Sequence, residues 1–541
     1  MSYSFSNKPI NLFLLIFHVS YFIFPPVFAQ KKIELLNANS MEYDEKHGTK
    51  AKRLVGAVSF KLESELMFCD SAYLYSETNT LDGFGRVHIK QGGTTNIYGD
   101  KLHYTGNTRK AEIRNNVRLV DKDMTLTTQN IDYDMGTDGG HYFGGGKIIS
   151  KKNSDTLTSE TGVFFSKTED FTFIKNVVLK STEYTIKSDT LKTNGKTDIT
   201  YFFGPTTIKS KEHFIYCENG WHDNTNDISQ FKKNAYLLTE TQKISGDSMY
   251  FDHKNSLGKV FKNVDIIDTV EKMIINGDYA IFDEKAGNST VTGNTMLTLI
   301  LESDSLFLHS DTLKAISDSS KNNKTIYAYH HAKFYKHDLQ GMCDSLIYSD
   351  KDSLIRLFKD PILWSEENQM LGEHISIKTF NGVIKSLYLD ENASIISLVS
   401  EQQQFSETLI SKDSLWFNQI KGRNMVASFK DNELHKVDVK EEGETLYFSY
   451  DDEGLIGVNK ATSKDLEIYV KDNTIQSILF IKQPKATLFP IDELSEEELR
   501  LPDFRWEEAY RPLTKKDIFK TEKREVNNVS SQKKASQKKS Q

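Results

Sequence analysis

The sequence predicts an all-β chain, an elongated β-solenoid of about fourteen repeats of ~30 residues each. Three observations lead there. A small residue followed by an acid or amide returns at a nearly constant interval, apolar and polar residues alternate around each copy, and 33 Phe and 24 Tyr stand against only 9 Pro in 541 residues. Aromatic enrichment with few strand breakers favours sheet.

Taken in order, the chain opens with Lys8, an apolar run from Ile10 to Phe28 and Val27-Phe28-Ala29 before Gln30. This pattern predicts a secretory signal over residues 1–29, removed after Ala29. The alternative is a retained anchor, but His18, Ser20, Pro25 and Pro26 interrupt a run already near the lower limit for spanning a bilayer.

Repeats follow over residues 30–400. One copy is Ile97-Tyr-Gly-Asp-Lys-Leu-His-Tyr104, and others begin at Ile186, Ile244, Ile275, Leu308 and Met342. The marker residue runs Asn39, Asp70, Asp100, Gln129, Glu160, Asp189, Glu218, Asp247, Asp278, Asp311, Asp344, Glu373, Asp413 and Glu444. Apolar positions are odd before Gly99-Asp100 and even after it, and a strand changes parity only where the chain bends. The Asp series Asp70, Asp100, Asp189, Asp247, Asp278, Asp311, Asp344 and Asp413 is therefore read as a structural corner ladder. Each acid is expected to accept a backbone N–H that the bend frees. A second strand signature, such as Asn116-Val-Arg-Leu119 or Asn263-Val-Asp-Ile266, alternates apolar with polar residues. One repeat cannot bury its own apolar face, so neighbours must stack.

Marker spacing lengthens between Glu373 and Asp413, across Glu401-Gln-Gln-Gln404, which sets a boundary near residue 400 and a second block of repeats over 401–490. Beyond it Ser495-Glu-Glu-Glu498 has the form of a capping box. It predicts a short helical segment within 491–519 that caps the solenoid end, with Phe504, Trp506 and Tyr510 beside it. Residues 520–541 are rich in Lys, Ser and Gln, the composition of a disordered basic tail.

The derived parity turns a row of apolar side chains inward: Ile97, Leu102, Tyr104, Ile244, Met249, Phe251, Ile275, Phe282, Leu346, Tyr348, Leu415 and Phe417. By residue chemistry alone they make either a dry core or a groove. Cys69, Cys217 and Cys343 occupy one slot, before the marker, in different repeats. Rungs that far apart cannot meet the ~7 Å limit of a disulfide, so these are small buried side chains.

Chemistry is otherwise sparse. A net charge of −8 gives no case for nucleic acid. Gly144-Gly-Gly-Lys147 lacks the earlier Gly and the following Ser or Thr of a phosphate loop and is read as a turn between strands. His330-His331 has no metal-motif companion, and the nine-residue Gly-rich repeat of calcium β-rolls is absent. No catalytic residue, metal or cofactor is assigned, and the chain is read as no enzyme.

The stretch Gly85-Arg-Val-His-Ile-Lys-Gln-Gly-Gly-Thr-Thr-Asn-Ile-Tyr-Gly-Asp-Lys-Leu-His-Tyr104 resembles the repeat of the OstA/LptA family, a Gly-Asn-Val strand, a Gln-Gly turn and an Ala-Asp-x-apolar strand. Here Arg86 stands for the usual Asn and Gly99 for the usual Ala. Degenerate copies cover most of Ile33 to Phe448. The resemblance implies an open β-jellyroll with a greasy interior in the periplasm, carrying lipopolysaccharide acyl chains toward the outer membrane. It also implies inner- and outer-membrane transport components as partners, joined by strand addition at sheet edges; Ile33–Leu36 is the natural N-terminal edge. The chain departs from the short family members in having more than twice their repeats. A closed structural or adhesive β-solenoid that binds envelope proteins or glycans remains the alternative, and a β-helical polysaccharide-processing enzyme is disfavoured by the lack of an acid or His cluster.

Overall fold

In the computed structural model, the residues described are 32–43, 51–283, 285–302, 304–318, 323–380, 383–399, 415–430, 433–451, 454–471 and 474–520. The expected signal sequence over residues 1–29, the expected boundary at Glu401–Gln404, Asp413 and the tail beyond residue 520 lie outside them. The fold is all-β, and among the described residues no α-helix occurs.

The chain forms two compact units, residues 1–152 and 153–541. In the first, Ala51–Leu62, Glu65–Tyr75, Thr80–Gln91, Thr95–Thr105, Lys110–Val120, Met124–Asp134 and Gly139–Ser150 form an antiparallel meander, each paired with the next. The short strands Glu34–Asn37 and Ser40–Tyr43 both pair with Ala51–Leu62.

Each pairing of the meander shifts register near its middle, for a reason written in pairs of residues. Where Thr95–Thr105 meets Lys110–Val120, Tyr98 faces Arg118 but Lys101 faces Arg114, so the second strand carries one extra residue. That bulge is made by Asn115 and Asn116, at φ 62° and 51°. The same device recurs at Gly85-Arg86, Gly144-Gly145, Lys175-Asn176, Lys233-Asn234, Lys262-Asn263 and Gly293-Asn294. Left-handed backbone is costly for most side chains and mild for Gly and Asn, which accounts for both residue types there. The Asn-Val signature therefore marks the middle of a strand. Gly144-Gly145 is likewise a mid-strand corner; the turn between strands lies at 135–138.

The small residue before the acid is demanded by packing. A β-carbon on Gly99 would lie 2.4 Å from Ile113 Cγ2, and one on Gly277 2.5 Å from Val291 Cγ1. Where this slot holds a hydroxyl or thiol, the group donates to the carbonyl two residues on, at 3.0 Å from Ser188 to Thr190 and 3.2 Å from Cys343 to Ser345. Cys69, Cys217 and Cys343 are buried and free. Burial raises their thiols to about 11, 12 and 12 respectively.

In the second unit the same meander runs from Thr156–Phe165 to Ser305–Ser317. Past it the bend becomes a break. One ladder joins Lys324–Tyr329, Ser345–Ser349, Leu354–Phe358 and His374–Phe380, while a separate ladder joins Ala332–Lys336, Leu339–Cys343, Ile362–Ser365 and Asn368–Leu371. The two reunite in Val383–Leu398. Alternation then splits the side chains: Leu363, Met370 and Ile395 enter one core cluster, and Ile362, Trp364, Leu371, Ile396 and Phe417 another.

The second cluster is covered by the C-terminal segment. Its capping box closes, with Ser495 N–H donating to Glu498 Oε2 at 2.9 Å, but only a turn follows it, and short 3-10 turns occur at Ile491–Glu493, Glu508–Tyr510 and Asp517–Phe519. The expected helical end-cap is instead a strap lying back across the strands. Phe504 and Trp506 sit 5.3 and 4.9 Å from the Phe417 ring. Buried amides hold it in place: Gln419 Nε2 donates to the backbone Leu499 O at 2.8 Å, Gln369 Nε2 to the backbone Arg505 O at 2.8 Å, and Gln340 Oε1 accepts from the Arg511 side-chain Nε at 2.9 Å. Buried amides without such partners would cost several kcal/mol on the order of 1–3 each, which fixes where the strap lies.

Candidate functional site

The parity switch puts the expected residues on inward-facing ladders. Ile97 lies between Ile89 and Leu119, and Tyr104 between Leu81 and Ala111; both are 0% exposed. Leu102, Met249, Ile244 and Leu346 are buried as well, while Phe251, Ile275, Phe282 and Tyr348 are partly exposed. Ile244 and Ile275 share a row with Leu237, Ile266 and Leu297. Two residues differ. Leu415 precedes its strand and is 49% exposed, and Phe417 is buried under the strap, outside the cluster that holds Leu346. The chain breaks step there because the two ladders have just rejoined.

One interior is tighter than the other. In the first unit, the third residue before the corner (Met67, Ile97, Leu126) and the fourth after it (Leu74, Tyr104, Tyr133) are all buried. Burial, with the charge of Glu65, pushes the Tyr104 hydroxyl far above its ordinary pKa. In the second unit the same two rows are mixed: Leu157, Phe164, Ile186, Ile244 and Leu308 are buried, while Ile215, Ile275, Phe251 and Phe282 are partly exposed; the residues nearer the corner, such as Cys217, Met249 and Ala280, remain buried. Around Ile215, Phe251, Ile275 and Phe282 the strand middles are therefore sealed, while these four apolar side chains nearer the strand ends keep some contact with solvent.

The acids form a ladder, but with side chains as partners. Asp100 accepts from Asn116 Nδ2 at 2.6 Å, Asp247 from Asn263 at 2.9 Å and Asp278 from Asn294 at 2.8 Å, each sixteen residues on. Arg86 takes this role for Asp70 at 2.7 Å, and His331 for Asp311 at 2.9 Å. Asp344 accepts from Ser345 and Lys359 at 2.8 and 3.1 Å. Asp189 differs, facing Gly204, where a β-carbon would come within 2.8 Å of its own. The expectation of backbone N–H donors is thus corrected: the freed strand positions are left-handed, and the Asn that tolerates them also carries the donor. His330 and His331, both at positive φ, are a variant of the same corner.

A cleft of about 550 Å³ lies beside the strap, lined by Lys359, Asp360, Glu373, His374, Lys421 and Arg505 among others. Its cations are paired, Lys359 with Asp344, Lys421 with Asp503 and Arg505 with Asp360.

Residues 30–189 match the family described as OstA-like protein. Among solved structures, the chain is similar to LptH of Pseudomonas aeruginosa, described as the LptA homologous periplasmic component of the conserved lipopolysaccharide transport device. The similarity has 11% identity and a TM-score of 0.19, and covers 20% of this chain and 84% of that one. No curated protein matches it in sequence.

Proposed function

We propose that the protein is a non-enzymatic periplasmic carrier that holds lipopolysaccharide acyl chains in its apolar interior on their way to the outer membrane. The observation that carries this reading is the partial exposure of Ile215, Phe251, Ile275 and Phe282, inward apolar side chains that a dry core would bury. Each methylene that moves from water to such a surface contributes ~0.8 kcal/mol, so a lipid with several chains has reason to stay. The OstA-like match of residues 30–189 supports the class of cargo. In this reading Glu34–Asn37, paired to Ala51–Leu62, is the edge to which an inner-membrane component adds a strand.

A photo-crosslinking residue at Phe282, with outward Tyr279 as control, tests this in intact cells probed for lipopolysaccharide. Adducts at Phe282 and none at Tyr279 are expected. A folded, exported protein with no adduct at Phe282 would replace the carrier by a closed structural solenoid.

A further inference from the structure

One inward position carries an imidazole. The fourth residue after the corner is aromatic in Tyr104, Tyr133, Phe164, Phe251 and Phe282, non-aromatic in Leu74, Thr193 and Ala315, and His222 in the repeat of Glu218. Strand pairing sets His222 opposite Ser229, and Ser229 opposite Phe251, with His253 two residues further on in the following turn. The buried Ser229 hydroxyl lies 2.9 Å from His222 Nδ1 and 3.0 Å from His253 Nε2. Asp227 ends the turn before Ser229, and its carbonyl accepts from the His253 N–H at 3.0 Å, tying the two turns together. One donor atom from each of His222, Asp227 and His253 lies within 4.8 Å of the others.

We propose that His222, Asp227 and His253 bind a divalent transition-metal ion of the zinc type. Two imidazoles and one carboxylate form a borderline nitrogen-oxygen set; Ca²⁺ and Mg²⁺ require several oxygen donors. Tetrahedral bonds of about 2.0–2.1 Å place donors ~3.4 Å apart, so the ligand atoms, now within 4.8 Å of one another, would draw together on binding. Ser229 acts as the outer partner that orients both rings. Three protein donors leave a position for water. The site would pin two successive turns of one face, 224–227 and 253–256. It was invisible as a motif because its two histidines are one repeat apart in sequence, and only strand pairing brings them together.

The test uses the full chain, stripped with a chelator and titrated with ZnCl₂ by calorimetry in the presence of a weak competing chelator. His222→Phe, which introduces the aromatic residue that the following repeat carries as Phe251, and His253→Ala are each expected to weaken zinc binding at least tenfold, while His330→Ala/His331→Ala binds like the parent. Circular dichroism checks the fold of each variant. Zinc should also slow hydrogen exchange in 224–227 and 253–256 of the parent and not of His222→Phe. Parent-like zinc affinity in His222→Phe, or no saturable binding by the folded parent, would overturn the site. Lipid crosslinking at Phe282 is read without added metal, so the two proposals fail separately.

Discussion

Replacing Asn263 separates the two tasks that a corner residue performs. Asn263 sits at φ 48° and donates to Asp247 at 2.9 Å. Asn263→Ala loses that bond, worth about 1 kcal/mol for an exposed charge-assisted contact. It also places an alanine in left-handed backbone, which costs about 1 kcal/mol more. Asn263→Gly loses the same bond but accepts the backbone. The expected losses are therefore about 2 kcal/mol for Ala and about 1 for Gly. A repeat array need not unfold in one step, so the assay is local hydrogen exchange by mass spectrometry. Since 1.4 kcal/mol is tenfold, exchange across Leu257–Asp268 should speed up about 30-fold in the Ala variant and about 5-fold in the Gly variant, with Thr185–Asn194 unchanged. Equal acceleration by Ala and Gly would refute the backbone argument. An Ala variant within twofold of the parent would refute both parts.

Two further outcomes follow from buried groups. Arg109 pairs with Glu65, whose side chain is buried, so Arg109→Met should destabilise the first unit by about 3–5 kcal/mol. Adding Glu65→Met should recover most of that loss, as read by local hydrogen exchange across Glu65–Tyr75 and Lys110–Val120; no recovery would mean that the charge pair is not what the site depends on. With their thiols raised to about 11 and 12, Cys69, Cys217 and Cys343 hold almost no thiolate at pH 8. Iodoacetamide should leave all of them unmodified in the native protein and modify all of them in urea, and a native adduct at pH 8 would contradict their burial.

The sequence by itself determined the all-β repeat, its period and its inward parity. Period and parity are local: a strand alternates its faces by geometry, so the odd-to-even switch around Gly99-Asp100 could be read without coordinates, as could the demand for a small residue ahead of the acid. Ile97, Leu102 and Tyr104 accordingly face inward. The partners of the acids were not local. Asn116 and Asn263 read as strand starts because nothing in a short window marks left-handed backbone in mid-strand; pairing to the neighbouring strand creates the bulge and delivers the Asn donor to the acid. Leu415 and Phe417 fall outside the inward row for a related reason, since the ladders separate after Ser317 and rejoin at Val383, and the strap covers the face where Phe417 lies. How far the interior opens was likewise decided only by tertiary structure. Ile97 and Ile275 occupy the same slot in their repeats, and only the side chains that neighbouring rungs bring over them make one sealed and the other accessible.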